Sequence, residues 1–124
     1  MKVTILVPFF NEEEMIMKTH QAIMAAIQPL SHYEFELLYV DDGSTDQTLA
    51  LMREIADGNS EVHYLSFSRN FGKEAGMLAG LEHASGDCVI IMDGDLQNPP
   101  YLIHEMLAKF EEGYDVVNAK RTRD

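Results

Sequence analysis

Two aspartates, Asp93 and Asp95, stand on either side of Gly94, directly after the apolar run at residues 89–92. In an extended segment, residues i and i+2 point to the same side, so both carboxylates would face one space. Like charges this close repel unless a proton or a cation lies between them. Oxygen ligands of this kind suit Mg²⁺ or Mn²⁺, Gln97 could add a neutral oxygen, and Gly94 would let a ligand approach the backbone. The alternative is a pair of solvated acids that favour the N-terminus of the next helix.

A second acidic pair, Asp41 and Asp42, follows another apolar run. Carboxylates at the end of a strand can accept hydrogen bonds from ribose hydroxyls or from the N–H group of a base. The whole segment, DDGSTD, also has the composition of a turn followed by a helix cap. We therefore expect Asp41 and Asp42 to contact a ligand, and Ser44 or Thr45 to cap a helix over residues 46–57.

The segment PFFNEEE, residues 8–14, excludes two common nucleotide sites. It contains neither the G-x-G-x-x-G pattern of dinucleotide-binding units nor the G-x-x-x-x-G-K pattern of P-loops. Three glutamates in the first turn of a helix would also repel a phosphate there. Phe10 could stack on a base, and Asn11 with Glu14 has the pattern of a capping box that starts a helix.

Basic residues cluster on the two segments that lack an acidic pair. Five of the nine lysines and arginines lie there, namely Arg69, Lys73, Lys120, Arg121 and Arg123. In a chain with a net charge of −12, this clustering indicates a phosphate neighbourhood. The alternative is ordinary loop charge.

The composition is that of one soluble domain. The 124 residues are 46% hydrophobic, and no apolar run approaches the length of a membrane helix. The acidic balance argues against a nucleic-acid partner. Cys88 is the only cysteine, so no internal disulfide can form, and no signal peptide precedes the first apolar run. These features predict a cytoplasmic location. The five histidines show no metal-binding spacing and fit surface or packing positions.

Apolar runs alternate with amphipathic segments along the whole chain. This order predicts an α/β fold with a mostly parallel sheet and helices on both faces. Because ligands bind beyond the carboxyl ends of such strands, the acidic and basic segments should meet at one edge of the sheet. The strands are predicted at residues 3–10, 35–40, 62–67, 88–92 and 115–119, and the helices at residues 11–28, 46–57, 74–84 and 101–113.

The motifs resemble those of a known family. PFFNEE, VDDGSTD and DGDLQNPP are similar, in order and separation, to the P-x-x-N-E, D-D-x-S and D-x-D segments of the family-2 glycosyltransferases of the GT-A fold. Within this family, FSRNFGKEAGMLAGLEHASGD most resembles the polyprenyl-phosphate glycosyltransferases, which include dolichol-phosphate mannosyltransferase and the bactoprenol glucosyltransferases.

The resemblance implies a Rossmann-like GT-A sheet and specific roles for matched residues. Asp93 and Asp95 would hold the metal with Gln97 nearby, and Arg121 matches a family arginine that contacts phosphate. Phe10 replaces a common tyrosine, which keeps stacking but loses a hydroxyl contact. Gly94 stands where alanine or another small residue is frequent. The expected nucleotide-sugar contacts are Pro8, Phe10, Glu12, Val40, Asp41, Asp42, Lys73, Asp93, Gly94, Asp95 and Arg121.

The implied reaction moves a sugar from a nucleotide-diphosphate sugar to a polyprenyl phosphate with inversion. A metal on Asp93 and Asp95 would neutralise the leaving diphosphate, and Arg121 would share that charge. Asp95 and Arg121 are therefore the catalytic candidates. The acceptor phosphate is already ionised near neutral pH, so no strong general base is needed. Subfamily resemblance favours UDP over GDP, while the sugar and any self-association into a homo-oligomer stay open.

Two other functions remain open at this point. One is an aspartate-dependent phosphotransferase, although such enzymes usually place the nucleophile after the first strand. The other is nucleotide and metal binding without turnover. Family members continue past this length, so residues 1–124 are expected to be the nucleotide-sugar-binding part of a longer, truncated domain. The full-length protein would then act at the cytoplasmic face of the membrane.

Overall fold

A computed structural model describes residues 1–95, 99–111 and 116–118. Within these ranges the chain forms five strands and four helices in strict alternation. The strands are β1 (Lys2–Phe9), β2 (Glu34–Asp41), β3 (Val62–Ser66), β4 (Cys88–Ile91) and β5 (Val116–Asn118). The helices are α1 (Ile16–Ile27), α2 (Thr48–Gly58), α3 (Lys73–His83) and α4 (Leu102–Glu111).

All five strands are parallel, in the order β3-β2-β1-β4-β5. The central strand β1 ends with Phe9 beside Asp41 of β2, while Leu6 of β1 lies beside Ile91 of β4. The segments that follow β1, β2 and β4 therefore leave the sheet side by side. The parallel α/β sheet expected from the sequence is confirmed.

The side chains of β1 alternate between two hydrophobic clusters, as the pleat of a strand requires. Val3, Ile5, Val7 and Phe9 point into the larger cluster, which also contains buried residues of α1, α2 and α4. Leu6 points into the smaller one, beneath α3. Helices thus cover both faces of the sheet, as predicted.

Helix α3 lies close to the sheet because glycines face it. Gly76 and Gly80 are its buried residues. A Cβ atom at Gly80 would overlap the side chain of Leu6, and one at Gly76 would lie 3.5 Å from Val40. Small residues therefore fix how near the N-terminal end of α3 comes to the ends of β1 and β2.

Two predicted helix starts were wrong. Helix α1 begins at Ile16 rather than Asn11, and the capping box does not form, because Asn11 has a φ of 52° and bonds to another loop. Helix α2 begins at Thr48 rather than Asp46, without a side-chain bond from Ser44 or Thr45. The described strands match the predictions to within one or two residues at each end.

Candidate active site

A cleft of about 200 Å³ opens at the carboxyl edge of the sheet, where β1, β2 and β4 end. It joins segments that lie up to 87 residues apart in the chain, from Pro8 to Asp95. This convergence is the one that the order of elements predicted. The cleft is lined by Pro8, Phe9, Phe10, Glu12, Asp42, Lys73, Asp93, Gly94 and Asp95.

The segment from Asp93 to Asp95 is fixed from two sides. Just before it, the N–H group of Met92 donates to the carbonyl oxygen of Leu6 at 3.0 Å. On the other side, the buried hydroxyl of Thr19 donates to the carbonyl oxygen of Gly94 at 2.7 Å. Helix α1 therefore holds the backbone between the two aspartates.

The packing of the protein itself requires a glycine at position 94. A Cβ atom there would lie 2.5 Å from the ring of Phe9 and 2.9 Å from the carbonyl oxygen of Pro8. Phe9 is buried in the larger cluster, so its ring has little room to yield. The absence of a side chain lets the acidic segment lie directly against the end of β1.

Negative charge is concentrated in the cleft. Burial raises the pKa of Glu12, and the nearby carboxylates of Asp95 and Asp46 raise it further. Lys73 forms an ion pair with Asp93. It is the only basic side chain among the described residues that line the cleft.

The described residues fit a hard divalent cation held partly by the protein and partly by a ligand. Asp93 and Asp95 supply oxygen donors, and both are only partly buried. No cluster of three or more His, Cys, Asp or Glu suited to a metal occurs in the described part of the chain. Two carboxylates completed by phosphate oxygens is the arrangement that Mg²⁺ commonly adopts. Gln97, the third expected ligand, lies outside the described residues.

Asp42 lines the cleft and also organises its wall. Its Oδ1 accepts the N–H of Phe71 at 2.9 Å, and its Oδ2 accepts the N–H of Gly72 at 3.0 Å. Its own N–H donates to the carbonyl oxygen of Phe9 at 2.9 Å. Asp42 therefore connects the end of β1 to the loop that leads into α3 and Lys73.

Two expected contacts, Val40 and Asp41, lie outside the lining of the cleft. Val40 is fully buried in the smaller cluster. Asp41 is also buried, and its carboxylate accepts the N–H of Ser44 at 3.2 Å and the hydroxyl of Ser66 at 3.3 Å. The structure places both residues behind the cleft wall.

The loops after β1 and β2 are joined by a clasp of side-chain hydrogen bonds. The N–H of Asn11 donates to Ser44 Oγ at 2.9 Å, and the N–H of Thr45 donates back to Asn11 Oδ1 at 2.8 Å. The N–H of Glu12 donates to Thr48 Oγ1 at 2.8 Å.

The clasp continues with a reciprocal pair of bonds. Glu13 donates its N–H to Asp46 Oδ2 at 3.2 Å, and Gln47 donates its N–H to Glu13 Oε1 at 2.9 Å. Burial alone would raise the pKa of Asp46, but hydrogen bonds from Thr48 and Glu13 lower it below its ordinary value. Two motifs that sequence reasoning treated separately are one structural unit.

Aromatic side chains flank the cleft. Phe10, proposed to stack on a base, lines it and is 43% exposed. Phe71 is also exposed, and the guanidinium of Arg69 lies 4.8 Å from the centre of its ring, away from the lining.

The remaining basic candidates, Lys120, Arg121 and Arg123, lie outside the described residues.

Sequence reasoning missed the buried support behind the cleft. His20 Nδ1 and the hydroxyl of Tyr39 are 2.8 Å apart, and Tyr39 packs edge-on against Phe9, with ring centres 5.2 Å apart. Burial lowers the pKa of His20 and raises that of Tyr39. The sequence signal was weak: Thr19 and His20 are polar residues on the otherwise apolar face of α1.

None of the described helices has the length and hydropathy that a membrane crossing requires.

Several known proteins are similar to this chain in sequence. The bactoprenol glucosyl transferase of Shigella phage SfV is 44% identical over 122 residues, which cover 98% of this chain and 39% of that protein. The prophage bactoprenol glucosyl transferase homolog of Escherichia coli K12 is 42% identical over 122 residues, covering 98% of this chain and 40% of that protein. This chain thus spans about two fifths of the length of these relatives.

Solved structures with the same fold include a donor complex. Mannosyltransferase PcManGT from Pyrobaculum calidifontis, in complex with GDP-Man and Mn²⁺, matches with a TM-score of 0.66 and 29% identity, over 75% of this chain and 27% of that one. S. aureus TarS 1-349, in complex with UDP, matches with a TM-score of 0.73 and 26% identity, over 90% of this chain and 32% of that one. Both neighbours are GT-A glycosyltransferases, which confirms the fold class. The glycosyl transferase family 2 model matches residues 4–124, so the chain belongs to glycosyl transferase family 2.

Proposed function

We propose that this protein is the donor-binding part of a metal-dependent, inverting glycosyltransferase that moves a sugar from a nucleotide-diphosphate sugar to a polyprenyl phosphate. The observation that carries the proposal is the cleft in which Asp93 and Asp95 meet Asp42, Lys73 and Phe10. Such a cleft offers carboxylate oxygens for a cation, an ammonium group for a phosphate and an aromatic ring for a nucleobase.

Relatives and structural neighbours of this chain support each partner in this proposal. One relative is named a bactoprenol glucosyl transferase, and one structural neighbour holds GDP-Man and Mn²⁺. Another neighbour, S. aureus TarS 1-349, is in complex with UDP. We favour a UDP-sugar over a GDP-sugar, in line with the glucosyl transferase relatives. In this proposal, the longer protein meets its polyprenyl phosphate acceptor at the cytoplasmic face of the membrane.

The nucleoside half of the donor lies, in this proposal, over the ends of β1 and β2. Phe10 stacks on the base, while Pro8, Glu12 and Asp42 line its pocket. The carboxylate oxygens of Asp42 each have a second lone pair for a ligand N–H or hydroxyl group. Val40 and Asp41 act from behind the wall, where Asp41 fixes the turn at Ser44.

The diphosphate half lies over Gly94. Asp93, Asp95 and Gln97 would hold the Mg²⁺ or Mn²⁺, and the ion would supply Lewis-acid neutralisation of the leaving diphosphate. Because Gly94 has no side chain, the phosphates can lie close to the backbone, and Lys73 and Arg121 donate hydrogen bonds to the phosphate oxygens. Asp95 and Arg121 are the proposed catalytic residues. The ionised acceptor phosphate attacks the anomeric carbon without a protein base.

Calorimetric titration of UDP and GDP, with and without Mn²⁺, tests donor binding. Wild-type protein should bind one nucleotide only with the metal, and the Asp93→Asn, Asp95→Asn double variant should lose that binding. An Asp57→Asn variant, changed on the exposed side of α2, should bind as wild type does. Nucleotide binding that is equal in the double variant would contradict the proposal.

Transfer itself needs a separate assay, because the chain spans about two fifths of its relatives' length. The nucleotide-diphosphate sugar and a short polyprenyl phosphate are incubated with the protein, and NMR determines the anomeric configuration of the product. Inversion is expected. Nucleotide binding without transfer, in both this chain and the longer protein, would leave binding without turnover as the function.

A further inference from the structure

Lys73 forms an ion pair with one of the two carboxylates that are proposed to hold the metal. Its ammonium group pairs with Oδ1 of Asp93. The Lys73 side chain is 52% exposed, whereas that of Asp93 is 17% exposed. The cation is thus the accessible member of the pair, and the carboxylate is the enclosed one.

The backbone of Lys73 is held while its side chain has room to move. Lys73 is the first residue of α3, and it follows Gly72, which has a φ of 104°. Asp42 fixes the preceding turn through the N–H groups of Phe71 and Gly72. Lysine carries a flexible four-carbon stem, so its ammonium group can reach different oxygens from one fixed Cα position.

The negative charge of the cleft explains why a lysine pairs with Asp93 before a donor binds. Glu12, Asp42, Asp93 and Asp95 all line the same cleft, and the pKa of Glu12 is raised by burial and by Asp95. Among the described residues that line the cleft, Lys73 is the one basic side chain that opposes this negative charge. A divalent cation on Asp93 would therefore compete with an ammonium group already in place.

We propose that Lys73 is a tethered counter-cation of Asp93. When the metal binds, the ammonium group of Lys73 moves from the Asp93 carboxylate to the diphosphate of the donor. This inference rests on the proposed function and deepens it. Lys73 weakens metal binding to the empty cleft and strengthens binding of the nucleotide diphosphate with its metal. The exchange couples the two ligands, so each binds more tightly when the other is present.

Mn²⁺ titration without nucleotide tests the competition, with the free ion counted by electron paramagnetic resonance. The Lys73→Met variant should bind Mn²⁺ roughly two- to five-fold more tightly than wild type, which is the range expected for loss of a partly exposed ion pair. Lys73→Arg keeps the charge and should stay near wild type. Lys109→Met, which removes an exposed lysine of α4 outside the cleft, controls for net charge.

UDP titration at saturating Mn²⁺ tests the second half of the exchange. The Lys73→Met variant should bind UDP more weakly than wild type, although its metal affinity is higher. Opposite shifts of the two affinities would not arise from a purely structural effect. In an Asp93→Asn background, Lys73→Met should no longer tighten Mn²⁺ binding.

Equal or weaker Mn²⁺ binding by Lys73→Met overturns the inference, and so does the absence of Mn²⁺ binding by both wild type and that variant. The proposed function fails separately. If the Asp93→Asn, Asp95→Asn variant binds Mn²⁺ as wild type does, the proposed metal site is wrong. If that variant loses Mn²⁺ while Lys73→Met changes nothing, only the role of Lys73 is wrong.

Discussion

Thr19 and Gly94 are 75 residues apart in the chain, and the hydroxyl of Thr19 donates to the carbonyl oxygen of Gly94 at 2.7 Å. Thr19 is fully buried on α1. The bond is therefore shielded from water, and no solvent molecule can easily replace it. It ties the orientation of the two cleft aspartates to the packing of a helix.

Replacement of Thr19 by valine should destabilise the protein. The change keeps the shape of the side chain but leaves the buried carbonyl oxygen of Gly94 without its donor, at a cost of about 1 to 3 kcal/mol. Urea unfolding measures the loss, and Mn²⁺-dependent UDP binding should weaken as well. Thr19→Ser keeps the hydroxyl and should recover most of the binding. Unchanged stability and binding in Thr19→Val would show that the bond has no such role.

Alanine at position 94 should be poorly tolerated. The added methyl group would lie 2.5 Å from the ring of Phe9, and overpacking of this kind costs about 1 to 3 kcal/mol. Gly58→Ala is the matched control, because a Cβ atom there has no neighbour within 4 Å. Thermal unfolding should show a lower midpoint for Gly94→Ala alone. Equal midpoints would mean that Phe9 can move aside.

Asparagine at position 42 should loosen the loop before α3. One of the two acceptor oxygens would become an NH₂ group facing a backbone N–H, which leaves a donor unsatisfied at a cost of about 1 to 3 kcal/mol. We expect faster amide hydrogen exchange at Phe71 and Gly72, which bond to Asp42 in the wild type. Asp57→Asn, at an exposed position, should leave exchange unchanged. Wild-type exchange in Asp42→Asn would contradict the role assigned to this carboxylate.

The stability of the protein should fall as His20 becomes protonated. Burial lowers the pKa of His20 in the folded state, so the unfolded chain binds the proton more readily. Stability from this group is present above the pKa of an unfolded histidine, about 6.5, and is lost as the pH falls below that value. An NMR titration of the His20 ring should give a midpoint below the ordinary histidine value. A midpoint above it would refute the prediction.

The order of the elements and the convergence of the motifs could be read from the sequence, because both follow from hydrophobic periodicity and from the geometry of parallel strands. The role of Asn11 could not. Its spacing to Glu14 fits a capping box, but its real partners, Ser44 and Thr45, lie 33 and 34 residues away. A long-range bond leaves no trace in a local pattern.

The two aspartates at the end of β2 show the same limit. The sequence predicts one role for Asp41 and Asp42 because they are adjacent, yet successive residues at a strand end point in different directions. Asp42 lines the cleft, while Asp41 bonds to Ser44 and Ser66 behind it. Which of the two faces the cleft depends on where the strand ends, and strand ends are the least predictable feature of a sequence.

The clasp between the loops after β1 and β2 has a consequence for the thermodynamics of recognition. Asn11, Glu13, Ser44 and Asp46 already hold each other in the free protein. A nucleoside that docks beside Phe10 would thus meet a preorganised wall and would lose little affinity to loop ordering. Selectivity between bases would then come from the fixed shape of that wall rather than from induced fit.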